Sequence, residues 1–166
     1  MKLPLVLLDF EASSLSPNSY PIEVGLAIAH SFEKPLSVWS TLILPEREWA
    51  RQGDWDPASA KVHGIVPGQL AGGCSARQTA DHLNQIIGPI GHAWCDGGHY
   101  DAMWMEKLYR AAGVAADFAL RDIAGLFVLD RPMFRRFAAI LSEIEAPHRA
   151  GPDAERICTA LVKAIR

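Results

Sequence analysis

Apolar positions fall along this chain in two rhythms. Near the start, Leu3–Glu11 is a continuous apolar run that closes on acids, and Pro21–His30 (PIEVGLAIAH) and Leu36–Leu44 (LSVWSTLIL) are two more short runs. Runs of this length bounded by turn residues read as buried strands. Ser13–Tyr20, rich in Ser, Pro and Asn, is the turn between the first two. Short connections make the three strands an antiparallel meander. Beyond them the period lengthens. Pro45–Ala60 reads as irregular, with Trp49 and Trp55 among charges, and a short helix follows Asp56-Pro57 because proline suits a first helical position. Ser75–Ile87 and His99–Ala112 read as helices, the second ended by Gly113; Arg131–Glu145 and Pro152–Ile165 are two more. His92–Cys95 and Phe118–Leu120 are short strands among them, and Asp122 stands where it caps the helix after the second.

This order predicts an α/β fold: a mixed five-stranded sheet, made of a three-stranded antiparallel meander plus two parallel strands, flanked by helices. With no repeat, low-complexity tract or Gly/Ser linker, residues 1–166 read as one domain. Such a layout is that of a ribonuclease H-like domain, although other α/β folds share similar strings and a fold does not specify an activity.

Composition narrows the function classes. The chain has 166 residues, 49% hydrophobic and 21% charged, enough for a core and unlike a disordered chain. A formal charge of −3 argues against gripping a long duplex by phosphate contacts alone. It does not exclude a carboxylate-built metal site, which brings its own positive charge. Three cysteines without a CxxC pair offer neither a disulfide framework nor a structural zinc site, so a reduced, cytoplasmic setting is expected. The apolar run at the start is too short for a signal sequence and ends at Asp9, and no stretch approaches a membrane span.

The candidate chemistry lies in carboxylates. Asp9 and Glu11 are two apart on a strand, so they share a face while Phe10 turns into the core. Neighbouring buried carboxylates repel, and a divalent cation relieves both the repulsion and the burial cost; oxygen donors suit Mg²⁺ or Mn²⁺. A strand that simply ends in solvent accounts equally for an isolated D-x-E. Asp101, in the first turn of the helix after the fourth strand (GHYDAMWMEKLY), lies where open sheets bind ligands, with Asp96 competing for the same role. Asp153 opens the last helix and His148 precedes it, in PHRAGPDAERI. For both helical aspartates the helix dipole is an alternative reason to be there. A loop histidine has a pKa suited to accepting a proton from water, or it is an ordinary surface residue.

Together, D-x-E on the first strand, Asp heading a mid-chain helix and H-x₄-D at the last helix resemble the three motifs of the DEDDh 3′–5′ exonucleases. That family includes polymerase proofreading subunits and oligoribonuclease. The segment KVHGIVPGQL, the strand around Ile22-Glu23-Val24, and Arg121-Asp122-Ile123 resemble further family segments, so the likeness spans nearly the whole chain. Departures are Ala12-Ser13-Ser14-Leu15 where relatives have Thr-Thr-Gly-Leu, Gly97 where they have Asn, and Gly151 where they have an apolar residue. The resemblance implies a hydrolase that shortens single-stranded DNA or RNA from its 3′ end to nucleoside 5′-monophosphates with two divalent cations, Mg²⁺ or Mn²⁺. It implies that Asp9, Glu11, Asp101 and Asp153 hold metal and that His148 is the general base. Ala12, Ser13, Ser14 and Leu15 would touch the terminal nucleotide, and His63 would lie near its base; packing roles for Leu15 and His63 are equally open. A homodimer or a polymerase or repair partner fits the family, with the Trp49/Trp55 region as one docking surface. Two alternatives stand beside the enzyme: a silent binding module that keeps the fold, and a phosphoesterase acting on very short oligonucleotides.

Overall fold

The computed structural model describes residues 3–166. Five strands form one sheet in the order β3-β2-β1-β4-β5. They are β1 (Leu5–Ala12), β2 (Pro21–Ala29), β3 (Ser37–Leu42), β4 (His92–Cys95) and β5 (Ala119–Asp122). The first three pair antiparallel, and β1·β4 and β4·β5 pair parallel. This is the mixed ribonuclease H-like sheet that the sequence order predicts. The helices are α1 (Arg47–Gln52), α2 (Pro57–His63), α3 (Ala76–Ile87), α4 (His99–Ala112), α5 (Ala124–Phe127), α6 (Arg131–Ser142) and α7 (Ala150–Ile165).

Strand alternation divides the core between the two faces of the sheet. Val6, Leu8, Phe10 and Ala12 pack with α3 and α4 residues such as Leu83 and Leu108. Leu5 and Leu7 pack on the other face with Ile157, Cys158 and Leu161 of α7. Asp9 and Glu11 continue the Leu5–Leu7 side, so the period of two sends both acids toward α7. Strand β2 is buried from end to end, which explains its unbroken apolar run.

Several boundaries differ from expectation. The stretch from Pro45 to Ala60 is not irregular throughout, because it holds α1 as well as the expected α2. Helix α1 exists by tertiary packing: Trp49 is buried and stacks on Tyr20 at 6.0 Å between ring centroids. A turn of 3₁₀ helix, Pro67–Gly72, lies before α3. Strand β1 begins at Leu5 and runs on to Ala12, and β5 extends to Asp122. Helix α6 stops at Ser142, where Arg156 of α7 donates to the carbonyls of Leu141 and Ile144. Helix α7 starts at Ala150, two residues before Pro152, because Glu23 accepts the Ala150 N–H and Asp153 accepts the Arg149 N–H. Pro152 still sits in the first turn, where no intrahelical N–H is needed. As expected, the Asp122 side chain accepts from Ala124 N–H at 2.7 Å at the start of α5. No helix among the described residues is long and apolar enough to cross a membrane.

Candidate active site

The acids collect where β1 and β4 end, under the first turns of α4 and α7. Asp9, Glu11 and Asp153 each offer a carboxylate oxygen, all within 4.8 Å of one another. Asp9, Asp96 and Asp101 form a second group under the same limit. Asp9 belongs to both. The structure thus gathers the other three predicted carboxylates around Asp9 and adds Asp96 rather than choosing between it and Asp101.

Burial and mutual repulsion act together on this cluster. The Asp9 carboxyl is pushed well above the usual carboxylate range, first by burial and then by Asp101, Glu11, Asp96 and Asp153. Glu11 rises to about 8 through burial, then Asp153 and Glu23, with Arg149 opposing. Asp101 rises to about 7 through burial and Asp96. Hydrogen bonds from the Gly97 and Phe10 backbone and from the Cys95 thiol pull it back down. Asp96, an exposed residue, is raised as well, chiefly because its carboxyl is partly shielded from water. Carboxylates held this close ionise together only beside compensating positive charge.

Backbone geometry explains two of the unusual glycines. Gly97 N–H donates to Asp101 Oδ2 at 3.0 Å. A Cβ at Gly97 would stand 2.6 Å from that oxygen, so glycine lets the backbone reach the carboxylate directly. Gly25 pairs with Asp9 across β1 and β2. A Cβ there would enter the backbone of Ala150 and Gly151. The start of α7 therefore rests on β2 beside the acids, which brings Asp153 into the cluster.

The other predicted residues take different places. His148 is exposed, with φ of 53°, in the loop before α7. Among the described residues no hydrogen bond joins it to a site carboxylate. Ala12, Ser13 and Ser14 are buried. Ser13 closes the turn after β1: its Oγ accepts from Tyr20 N–H and its own N–H donates to Tyr20 O, both at 3.0 Å. Ser14 Oγ donates to Ser16 Oγ at 3.2 Å. Leu15, by contrast, is 62% exposed at the tip. His63 is only 5% exposed. Its Nδ1 accepts from Ile65 N–H at 3.0 Å, which leaves the proton on Nε2. That Nε2 is buried without a hydrogen-bond partner, although the Ala12 backbone lies near enough to favour the charged ring. Burial is the larger effect and lowers the His63 pKa.

Two residues that lie within the recognised segments have site roles that the motifs did not assign. Glu23 is 2% exposed and lies opposite Glu11 in the β1–β2 register. Arg149 donates to it through Nε at 2.9 Å and Nη2 at 2.6 Å. The available signal was a lone acid inside the apolar run PIEVGLAIA, since a buried carboxylate requires a partner.

No protein-family model matches this chain, and no curated protein matches it by sequence. Solved structures do match its fold. A full-length 3′-exonuclease aligns with TM-score 0.69 and 12% identity, covering 97% of this chain and 60% of the other. A 3′-exonuclease described in 3′-end-specific recognition of a histone mRNA stem-loop aligns with TM-score 0.70 and 13% identity, covering 96% and 62%. Cell-death related nuclease 4 (CRN-4) aligns with TM-score 0.69 and 15% identity, covering 97% and 63%. This chain spans about three-fifths of the length of each of these proteins. Its fold is that of the 3′-exonucleases, with an acidic cluster at the end of the sheet.

Proposed function

We propose that this chain is a metal-dependent 3′–5′ exonuclease acting on single-stranded DNA or RNA. The observation that carries the reading is the pair of oxygen groups sharing Asp9 within a 3′-exonuclease fold. The donors are oxygen only and densely anionic, and burial together with acidic neighbours raises the pKa of Asp9, Glu11 and Asp101, which fits hard divalent cations such as Mg²⁺ or Mn²⁺. Asp9, Glu11 and Asp153 would hold one cation, and Asp9 and Asp101 a second, with Asp96 alongside. When bound, such a pair lowers the pKa of water and stabilises charge on the attacking and leaving oxygens.

The chain's own residues do the remainder. His148, free in its loop, takes a proton from the attacking water. Water oxygen bonds to phosphorus, the bond from phosphorus to the 3′-oxygen of the penultimate nucleotide breaks, that oxygen takes a proton from solvent to become the new 3′-hydroxyl, and a nucleoside 5′-monophosphate leaves. Leu15 and the backbone of Ala12–Ser14 border the terminal nucleotide, and the unpartnered His63 Nε2–H is a donor for it. The mild overall acidity suits a strand held at one end more than a duplex gripped along its length.

The test is to incubate 5′-labelled single-stranded DNA and RNA of one sequence with Mg²⁺, Mn²⁺ or EDTA, beside an Asp9→Ala control. A metal-dependent ladder receding from the 3′ end, absent in EDTA and in the control, is expected. Absence of shortening on either strand in either metal would remove the enzymatic reading and leave a binding module.

A further inference from the structure

We propose that the Glu23–Arg149 ion pair is the positioning device of the acidic site, seating the first turn of α7 so that Asp153 reaches Asp9 and Glu11. The inference rests on the metal-dependent reading above and gives a role to two residues outside the proposed ligand set.

Glu23 lies at the centre of the argument. Its side chain is almost wholly buried, and among the described residues its hydrogen-bond donors come from the start of α7. Arg149 grips it with two guanidinium nitrogens at 2.9 and 2.6 Å, and Ala150 N–H donates to Oε2 at 3.1 Å. A fork of this kind fixes direction as well as distance. The Arg149 backbone N–H in turn donates to Asp153 Oδ2 at 3.0 Å. One residue is therefore held by Glu23 through its side chain and holds Asp153 through its backbone. Gly25 permits the close seat of Ala150 on β2 beneath this bridge. On its other side, Asp153 Oδ1 lies 3.9 Å from Arg156, whose Nε and Nη2 are tied to carbonyls at the end of α6.

A second account of Arg149 makes the opposite prediction. As a plain counter-charge it would compete with a bound cation, and its removal would tighten metal binding. As a positioning residue, its removal lets α7 and Asp153 drift, and metal binding weakens. Partners of metal ligands typically change affinity by about 10–100-fold when removed.

The experiment is calorimetric titration of Mn²⁺ into the full chain, with circular dichroism and thermal melts on every variant. Arg149→Ala leaves Glu23 buried and unpaired, so a second variant, Glu23→Gln/Arg149→Ala, removes both charges and restores an uncharged interior. The double variant changes no net charge, so an affinity loss there reports geometry. We expect both variants to bind Mn²⁺ at least about tenfold more weakly than wild type. We expect the double variant to melt closer to wild type than Arg149→Ala does, and Arg149→Lys to recover only part of the affinity. Unchanged or tighter Mn²⁺ binding by the double variant would overturn the proposal while leaving the exonuclease reading intact. A wild type that binds no Mn²⁺ would overturn both.

Discussion

Replacing Glu11 with Gln separates the cost of the acidic cluster from its use. In the metal-free protein burial, then Asp153 and Glu23, raise the Glu11 pKa from 4.5 to about 8. The sign follows from linkage. Below about pH 4.5 the group is neutral in folded and unfolded chains alike and contributes nothing. Between 4.5 and 8 the unfolded chain releases a proton that the folded chain retains, so folding loses stability as pH rises, until the folded group also ionises. The full shift corresponds to ~5 kcal/mol. Glu11 keeps contact with water and shares its repulsion with Asp9, so we expect Glu11→Gln to stabilise the metal-free chain by ~2 kcal/mol at about pH 8. For a chain of this length that is a rise of roughly 4–8 °C in Tm. The gain should shrink toward zero at about pH 4.5. Saturating Mn²⁺ should raise the wild-type Tm at about pH 8 and have much less effect on the variant. The assay is differential scanning fluorimetry of both proteins across pH, in EDTA and in Mn²⁺. A metal-free variant that melts at or below wild type at about pH 8 would refute the reasoning, since burial and repulsion would then not act on Glu11.

Three further outcomes are expected. Gly25→Ala drives a methyl into the backbone of Ala150 and Gly151 and should lower stability by ~3 kcal/mol or more, measured by urea unfolding. His148→Ala should reduce kcat by about 10²–10⁴-fold while calorimetric Mn²⁺ affinity stays within about twofold, because an exposed loop base is no metal ligand. His63→Ala should raise KM for single strands more than it lowers kcat; an unchanged KM would show that the buried Nε2 does not meet the nucleotide.

Much of this molecule is written in local pattern. The D-x-E spacing on a strand places Asp9 and Glu11 on one face because side chains alternate. Ser75 closes the start of α3 through Gln78, a signature readable from two residues. Gly113 ends α4 in the left-handed conformation that glycine adopts freely. Helix α1 was not legible in this way. Its six residues carry charges around one tryptophan, and the packing that holds it comes from the core, including Tyr20 nearly thirty residues earlier.

By itself, the sequence determined the order of the strands and of the helices other than α1, the face on which the first two acids lie, and that Asp101 and Asp153 stand in the first turns of helices. These follow from periodicity and capping, which act over a few residues. Tertiary structure alone decided that Asp9 is shared by two groups, that Asp96 joins Asp101 rather than replacing it, and that Glu23 holds Arg149 from 126 residues away. The contacts of Asp153 and Arg149 depend on how closely α7 can approach β2. That approach is set at Gly25 by the absence of a single side chain, and it has no counterpart in the spacing of residues along the chain.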